Sequence, residues 1–145
     1  MVDIVGTSVR SRMMAGIKGA NTRPELELRR ALHAAGYRFR LHSAKLAGKP
    51  DIVLPRYRAV IFVHGCFWHR HDGCRYATTP ATRTEFWENK FDSNVRRDVR
   101  NQADLLAESW RVAIVWECSI KRIGGSDITR RLTEWLAREA DHIEI

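Results

Sequence analysis

The apolar positions along the chain fall into two alternating rhythms. In residues 22–35, Leu26, Leu28, Leu32 and Ala35 supply the buried stripe of a helix. Thr22 and Glu25 have capping-box spacing at its start, Pro24 is tolerated in its first turn, and Gly36 closes it. Residues 37–42 alternate apolar and polar, which predicts a strand with one solvated face. A loop containing Gly48 separates them from residues 50–54 and 57–63, two adjacent strands joined by a tight turn at Pro55-Arg56. Val60, Ile61, Phe62 and Val63 are continuously apolar, as in a central strand covered on both faces. Residues 75–83 are polar and irregular. Helical spacing returns over 91–110, with Val95, Val99, Ala103, Leu106 and Trp110 as the inward stripe. Residues 111–117 form the next buried strand, with Cys118 at its end. Gly124-Gly125 break the chain, and Ser126 or Asp127 caps a last helix carrying Ile128, Leu132, Trp135 and Leu136. Helix, three strands, helix, strand, helix predicts an α/β fold, a single mixed β-sheet flanked by helices. With no internal repeat, low-complexity segment or linker, one domain is expected over residues 1–145.

Composition narrows the function. With 25 Lys and Arg against 17 Asp and Glu, the net charge is +8, which favours a polyanionic partner, most simply nucleic acid. No apolar run is long enough to span a bilayer, so no membrane role is expected. The first residues lack the pattern of a secretion signal. The three cysteines cannot all pair with one another, so metal ligation or free thiols are expected rather than disulfides. In residues 8–18, Arg10, Arg12 and Lys18 suit a short basic helix or arm along phosphates. Met14 in that arm packs on the domain or acts as an apolar wedge in a DNA groove.

The chemistry concentrates in residues 61–74, which hold Cys66, Cys74, His64, His69, His71 and the ring pair Phe67-Trp68. Cys66, Cys74 and the distant Cys118, with either His69 or His71, make a set of four sulfur and nitrogen ligands. A closed set of this kind suits structural zinc. Asp51, at the mouth of an apolar strand, suits Mg²⁺, a hard cation that leaves room for water and phosphate. His64 and His69 arrive from the next strand and its loop as candidate general bases. Phosphodiester hydrolysis needs an activated water and charge stabilisation, and this set can supply both.

Pro50-Asp51 and His64-Gly65-Cys66-Phe67-Trp68-His69 closely resemble the very short patch repair (Vsr-type) T:G mismatch endonucleases. Further matching blocks are Arg10-Ser11 with Met14, Gly48-Lys49, residues 81–87, Asn94 with Arg97-Asp98, and residues 115–118. The resemblance implies a type II restriction endonuclease-like fold with a structural zinc site. It also implies Mg²⁺-dependent nicking 5′ of the T in T:G mismatches that arise when 5-methylcytosine deaminates. By matching position, Asp51 and the backbone carbonyl of Val63 would hold catalytic Mg²⁺. His69 would be the base, Asp98 its orienting partner, and Glu25 and His64 outer-shell groups. Cys66, His71, Cys74 and Cys118 would hold Zn²⁺. Phe67, Trp68 and Trp87 would wedge beside the mismatch, with Met14 and Lys90 as further DNA contacts and residues 1–19 as a DNA-contacting arm. Two departures stand out. Residues 69–74 are one residue longer than the family pattern, with Gly73 available to absorb the extra length. Val63 replaces a threonine, which leaves a backbone carbonyl unchanged.

The expected partner is double-stranded DNA containing a T:G mismatch. Mismatch-repair proteins and a repair polymerase are candidate collaborators, and the expected setting is a cytoplasmic, nucleoid-associated monomer. Two other functions share the same features: a restriction-like nuclease cutting both strands of matched DNA, and a zinc-stabilised mismatch-binding module that does not cut. A pure binder needs neither Asp51 nor His69.

Overall fold

A computed structural model describes residues 20–145. The arm over residues 1–19, with Met14 and its basic neighbours, lies outside the described residues. The elements are α1 (Arg23–Ala34), β1 (Arg40–Leu41), β2 (Ile52–Leu54), β3 (Ala59–His64), α2 (Thr84–Ala107), β4 (Arg111–Trp116), α3 (Glu117–Ile123), α4 (Gly125–Leu136) and β5 (His142–Glu144). A short 3-10 turn, Pro55–Tyr57, joins β2 to β3. The five strands form one mixed sheet in the order β1-β2-β3-β4-β5. β1, β2 and β3 pair antiparallel, while β3, β4 and β5 run parallel.

The apolar run in β3 makes it the sheet's centre. Alternation sends Ala59 and Ile61 into one core with Leu28 and Leu32 of α1, Ile120 of α3, and Ile128, Leu132 and Trp135 of α4. Val60 and Phe62 enter a second core, on the other face, with Leu105 of α2 and Val112, Ile114 and Trp116 of β4. The mixed sheet flanked by helices is the expected α/β architecture.

Several elements differ from their sequence reading. The helix expected from residue 91 begins at Thr84, and of its expected inward stripe only Leu106, with Trp110 just beyond the helix, packs on the core. Val95 is 37% and Val99 62% exposed, and Ala103 is also exposed. Trp87, Phe91, Asn94, Asp98, Asn101 and Leu105 follow the same three-to-four spacing and face inward, apolar at both ends and polar where they border a cleft. β1 keeps only two residues of the six expected, because Arg40↔Val53 and Leu41↔Ile52 exhaust its pairing with β2. After β4 the chain turns directly into α3, which places Cys118 in a first helical turn. β5 was not anticipated. It adds to the parallel edge of β4 at the register Ala113↔Ile143.

Neither Ser126 nor Asp127 caps α4. The cap residue is Gly124, and the Gly125 N–H donates to Glu27 Oε2 of α1 at 2.7 Å. A carboxylate from the neighbouring helix therefore meets the positive end of α4. Gly125 is buried so tightly against α1 that a Cβ there would lie 3.1 Å from Glu27 O and 3.2 Å from Ala31 Cβ. Among the described residues, no helix is long and apolar enough to cross a membrane.

The α1–α4 seam yields a direct test. Gly125→Val should push the helices apart and cost about 1–3 kcal/mol, as overpacking of a close contact does. Chemical denaturation measures this, and an unchanged midpoint would mean that the contact yields freely.

Candidate active site and metal cluster

Pleating brings the first group of residues together. Val53 pairs with Val60, so the α2-facing side of the sheet continues through Asp51 on one strand and through Phe62 and His64 on the next. Beyond the last ladder pair, Ile52↔Ile61, the Val63 N–H has no strand partner and donates instead to Asp51 Oδ2 at 2.7 Å. This bond fixes one oxygen of the Asp51 carboxylate, and the Glu25 carboxyl stands beside the group. The Val63 carbonyl points to the same side of β3 as its N–H, toward Asp51.

The cleft holds roughly 480 Å³ and is lined by His42, Lys49, Asp51, Val63, His64, His69 and Asp98, among others. Gly48 closes one wall so tightly, at φ +75°, that a Cβ would meet Asn101 at 3.0 Å and Phe62 at 3.1 Å. Glu25 reaches the same end of the sheet from the first turn of α1 and is only 2% exposed. Its backbone N–H bonds to Thr22 Oγ1, as its capping role predicts. Its carboxylate does more: it accepts from the Asn21 N–H and from Arg29, and lies 2.9 Å from His42 Nε2. Burial, followed by the nearby Glu25 charge, raises the Asp51 carboxyl from 3.8 to about 6, against the Val63 hydrogen bond.

His69 stands opposite. Its Nδ1 is 2.6 Å from Asp98 Oδ2 on α2. An ionised carboxylate only accepts, so the shared proton belongs to Nδ1 and leaves Nε2 as the acceptor. His64 stacks flat on His69, with ring centroids 3.8 Å apart and planes 4° off parallel. Burial first, then the neighbouring His69, pushes His64 down to about 3, with Asp98 opposing; His64 is therefore neutral at physiological pH.

Past His69 the loop turns sharply. Arg70 takes a left-handed φ of +54° and points away from the cleft. It donates to Thr78 O at 2.8 Å and Ala77 O at 2.9 Å, and its guanidinium lies 4.0 Å from the Phe91 ring centre. His71 consequently faces the other way, where Cys66, His71, Cys74 and Cys118 each place one ligand atom within 4.8 Å of the rest. Ligand atoms around a tetrahedral zinc ion stand about 3.5–3.8 Å apart, so this donor set fits zinc. Gly73, at φ +69°, accommodates the longer loop, and the Cys74 N–H turns back to His71 O at 3.2 Å. Burial pushes the Cys66 thiol up to about 12, with the Cys118 backbone opposing; a zinc ion would take the thiolate and release that proton. Burial also opposes ionisation of Cys74, but the Tyr76 N–H and its thiol neighbours bring its value down overall.

The ring cluster forms the outer flank of the same loop. Phe67 meets Trp68, Trp87 and Phe91 edge-on at 5.0, 5.9 and 5.1 Å. Phe67 and Trp68 are half-buried, whereas Trp87 is 7% exposed and serves as the support beneath them. Asn94 Nδ2 donates to Trp68 O at 3.2 Å. Lys90 is exposed on α2.

The structure thus gathers Asp51, Val63, His64, His69, Asp98 and Glu25 at one cleft. It sets Cys66, His71, Cys74 and Cys118 apart in a second cluster, and Phe67, Trp68 and Trp87 in a third group. Sequence reasoning missed His42, Arg70 and Phe91. The β1–β2 register reveals His42 by setting it opposite Asp51, and the aromatic run at residues 86–91 was the available signal for the ring support.

Residues 2–75 match the family model for DNA mismatch endonuclease Vsr. The chain is 47% identical over 131 residues to the type II nicking enzyme V.XorIIP of Xanthomonas oryzae pv. oryzae, covering 90% of this chain and 96% of that protein. It is 42% identical over 148 residues to the DNA mismatch endonuclease Vsr of Escherichia coli, covering 100% and 94%. It is 41% identical over 121 residues to the type II nicking enzyme V.NmeAIP of Neisseria meningitidis, covering 83% and 86%.

Asp51 carries a measurable cost to the fold. Its folded value, about 6, lies above its ordinary 3.8, so the folded state holds the proton more tightly and the metal-free fold loses stability as pH rises through that interval. Asp51→Asn keeps an acceptor for the Val63 N–H and removes the charge. It should stabilise the Mg²⁺-free protein at neutral pH by on the order of 1–3 kcal/mol, with the gain shrinking toward about pH 5. Thermal melts at the two pH values check this; an equal gain at both would show that the charge is not the cause.

Proposed function

The chain belongs to the Vsr family of DNA mismatch endonucleases and acts in DNA repair, and on that premise we propose that it nicks one strand 5′ of the T in a T:G mismatch. The observation that carries this reading is a juxtaposition in one loop. His69, the base candidate, directly follows Phe67 and Trp68, the rings suited to opening a base stack. Engaging the mismatch and aligning the phosphate with the cleft therefore involve a single rigid segment. The fold this reading assigns is of the type II restriction endonuclease kind, with the cleft at the carboxyl end of the central strand.

In the proposed mechanism, His69 Nε2 takes a proton from the attacking water while Asp98 holds the ring through Nδ1 and balances the imidazolium charge. Neutral His64, stacked on His69, fixes the ring plane and adds no competing positive charge. Asp51, clamped by the Val63 N–H, and the Val63 carbonyl would hold Mg²⁺, with Glu25 orienting the outer shell. When bound, the ion would supply charge neutralisation at the phosphate and acidity to a nearby water. Lys49, on the cleft wall, would supply a positive charge to the phosphate. The new P–O bond forms as the P–O3′ bond breaks, leaving a 5′-phosphate and a 3′-hydroxyl protonated from solvent.

Cys66, His71, Cys74 and Cys118 would hold a structural Zn²⁺ that ties the loop to the start of α3. Phe67 and Trp68, supported by Trp87, would replace stacking lost at the opened step, which is cheapest at a mismatch. Lys90 and the arm carrying Met14 would extend the contact along the duplex. One asymmetric nick needs one site, so the working unit is a monomer acting in the cytoplasm at the nucleoid. The nicked strand then passes to repair synthesis.

A strand-resolved assay on duplexes differing at one pair, T:G, T:A or C:G, tests the reading. Mg²⁺-dependent cleavage of the T strand alone is expected. Asp51→Ala should reduce the rate by at least about a thousandfold, as removal of a metal ligand does, while leaving mismatch binding in place. Cutting of both strands in matched DNA would identify a restriction-like enzyme, and tight T:G binding without cleavage would identify a sensor. Metal analysis should find about one zinc per chain, and Cys118→Ser should lose it and unfold at markedly lower temperature. Full stability in a zinc-free preparation would overturn the structural role.

A further inference from the structure

One imidazole in the cleft is unused by the mechanism above. His42 sits where β1 ends, at a left-handed φ of +46°, half-buried. Its backbone N–H donates to Asp51 O at 3.2 Å, which sets it directly opposite Asp51. Its Nε2 lies 2.9 Å from Glu25 Oε2, and Glu25, His42 and Asp51 each place one ligand atom within 4.8 Å of the others. Around an octahedral ion with bonds of about 2.1 Å, neighbouring ligand atoms stand about 3 Å apart. His42 Nε2 and an Asp51 oxygen, within 4.8 Å of each other, need only a small approach to share one cation, with Glu25 holding the His42 ring in place.

Charge points the same way. Asp51 lines the cleft, one of its oxygens accepting from the Val63 N–H, with the Glu25 carboxyl and the His42 ring close by. Glu25 is already partly neutralised by Arg29 and the Asn21 N–H, so its part is to orient, and Asp51 supplies the free negative charge. All-oxygen sites suit Mg²⁺, whereas an imidazole nitrogen strengthens binding of first-row transition cations and does little for Mg²⁺.

We propose that His42 donates Nε2 to the divalent-cation site at Asp51, so that this cleft binds first-row transition cations more tightly than an all-oxygen site would. The inference rests on the proposed Asp51 cation site and adds a nitrogen ligand to it.

Pulsed electron paramagnetic resonance of Mn²⁺ bound to the zinc-loaded full chain gives a direct readout. Nitrogen modulation from a directly bound imidazole is expected in the wild type. It should persist in His69→Gln, which removes the neighbouring imidazole, and vanish in His42→Gln. Competition against the bound Mn²⁺ supplies the affinities: His42→Gln should weaken Co²⁺ by about tenfold and change Mg²⁺ by less than about twofold. No nitrogen modulation in the wild type overturns the proposal without any variant having to fold. Modulation that survives His42→Gln, or equal weakening of Co²⁺ and Mg²⁺, also overturns it. Asp51→Ala separates the two levels. Mn²⁺ binding that survives Asp51→Ala refutes the underlying cation site, whereas loss of binding there with no nitrogen signal in the wild type refutes the His42 ligand alone.

Discussion

The chemistry of this molecule depends on the point where β3 runs past the end of β2. A buried backbone N–H must be paired, and at Val63 the ladder with β2 has ended. Asp51 fills that gap with a carboxylate oxygen. The bond satisfies the sheet's last donor and also holds a carboxylate rigidly at the mouth of the cleft. From the same strand end the chain delivers His64 inward and then loops out with His69. The sheet thus fixes Asp51 and His64, and His69 is held to them through its stack on His64 and its contact with Asp98.

That arrangement is built at the expense of fold stability. Asp51 and Glu25 are two carboxylates in one partly dry place, and His64 is an imidazole that burial keeps from charging. Neither is what a stable core would choose. The surroundings compensate locally: Arg29, Asn21 and His42 engage Glu25, and Asp98 engages His69. Farther away the packing is conventional, with α1 and α4 on one face and α2 on the other. The closely placed carboxylates Asp51 and Glu25 lie at the end where a cation and a phosphate would relieve them.

How far the sequence could be read follows from the same division. The continuous apolar run of β3, the capped start of α1 and the metal-ligand spacing around Cys66 and Cys74 each arise from a local rule, and each was legible. Helix α2 misled because its inward face includes Asn94 and Asp98, polar groups placed there for the cleft, while Val95 and Val99 face solvent. A periodicity argument assumes that the buried face is apolar and fails where the buried face borders a site. β5 and α3 were invisible for a different reason. Both are short, and both are stabilised by tertiary partners, β4 for one and the α1–α4 layer for the other. His42 required the register of two strands, which composition does not contain. The choice between His69 and His71 as a sulfur-cluster partner also lay beyond spacing, since both histidines fall in the same short loop.

The left-handed turn at Arg70 resolves that choice. By reversing the chain between two histidines only two residues apart, it sends one ring to Asp98 and the other to the three thiols. Arg70 is itself held by the carbonyls of Ala77 and Thr78 and by the face of Phe91, so the reversal is locked from outside the loop. Phe91 in turn packs against Phe67 and Trp87. His69, the thiol cluster and the rings thus belong to one short segment that the Arg70 guanidinium braces. A force on the rings, such as insertion into a base stack, is resisted by contacts that also fix His69 against Asp98. Positioning of this kind is worth more in catalysis than any single contact, because displacement of a base by about 1 Å can cost a hundredfold in rate. A mismatch, which yields more easily to the rings than a matched pair, would then be the DNA that lets the phosphate reach the cleft without disturbing that segment.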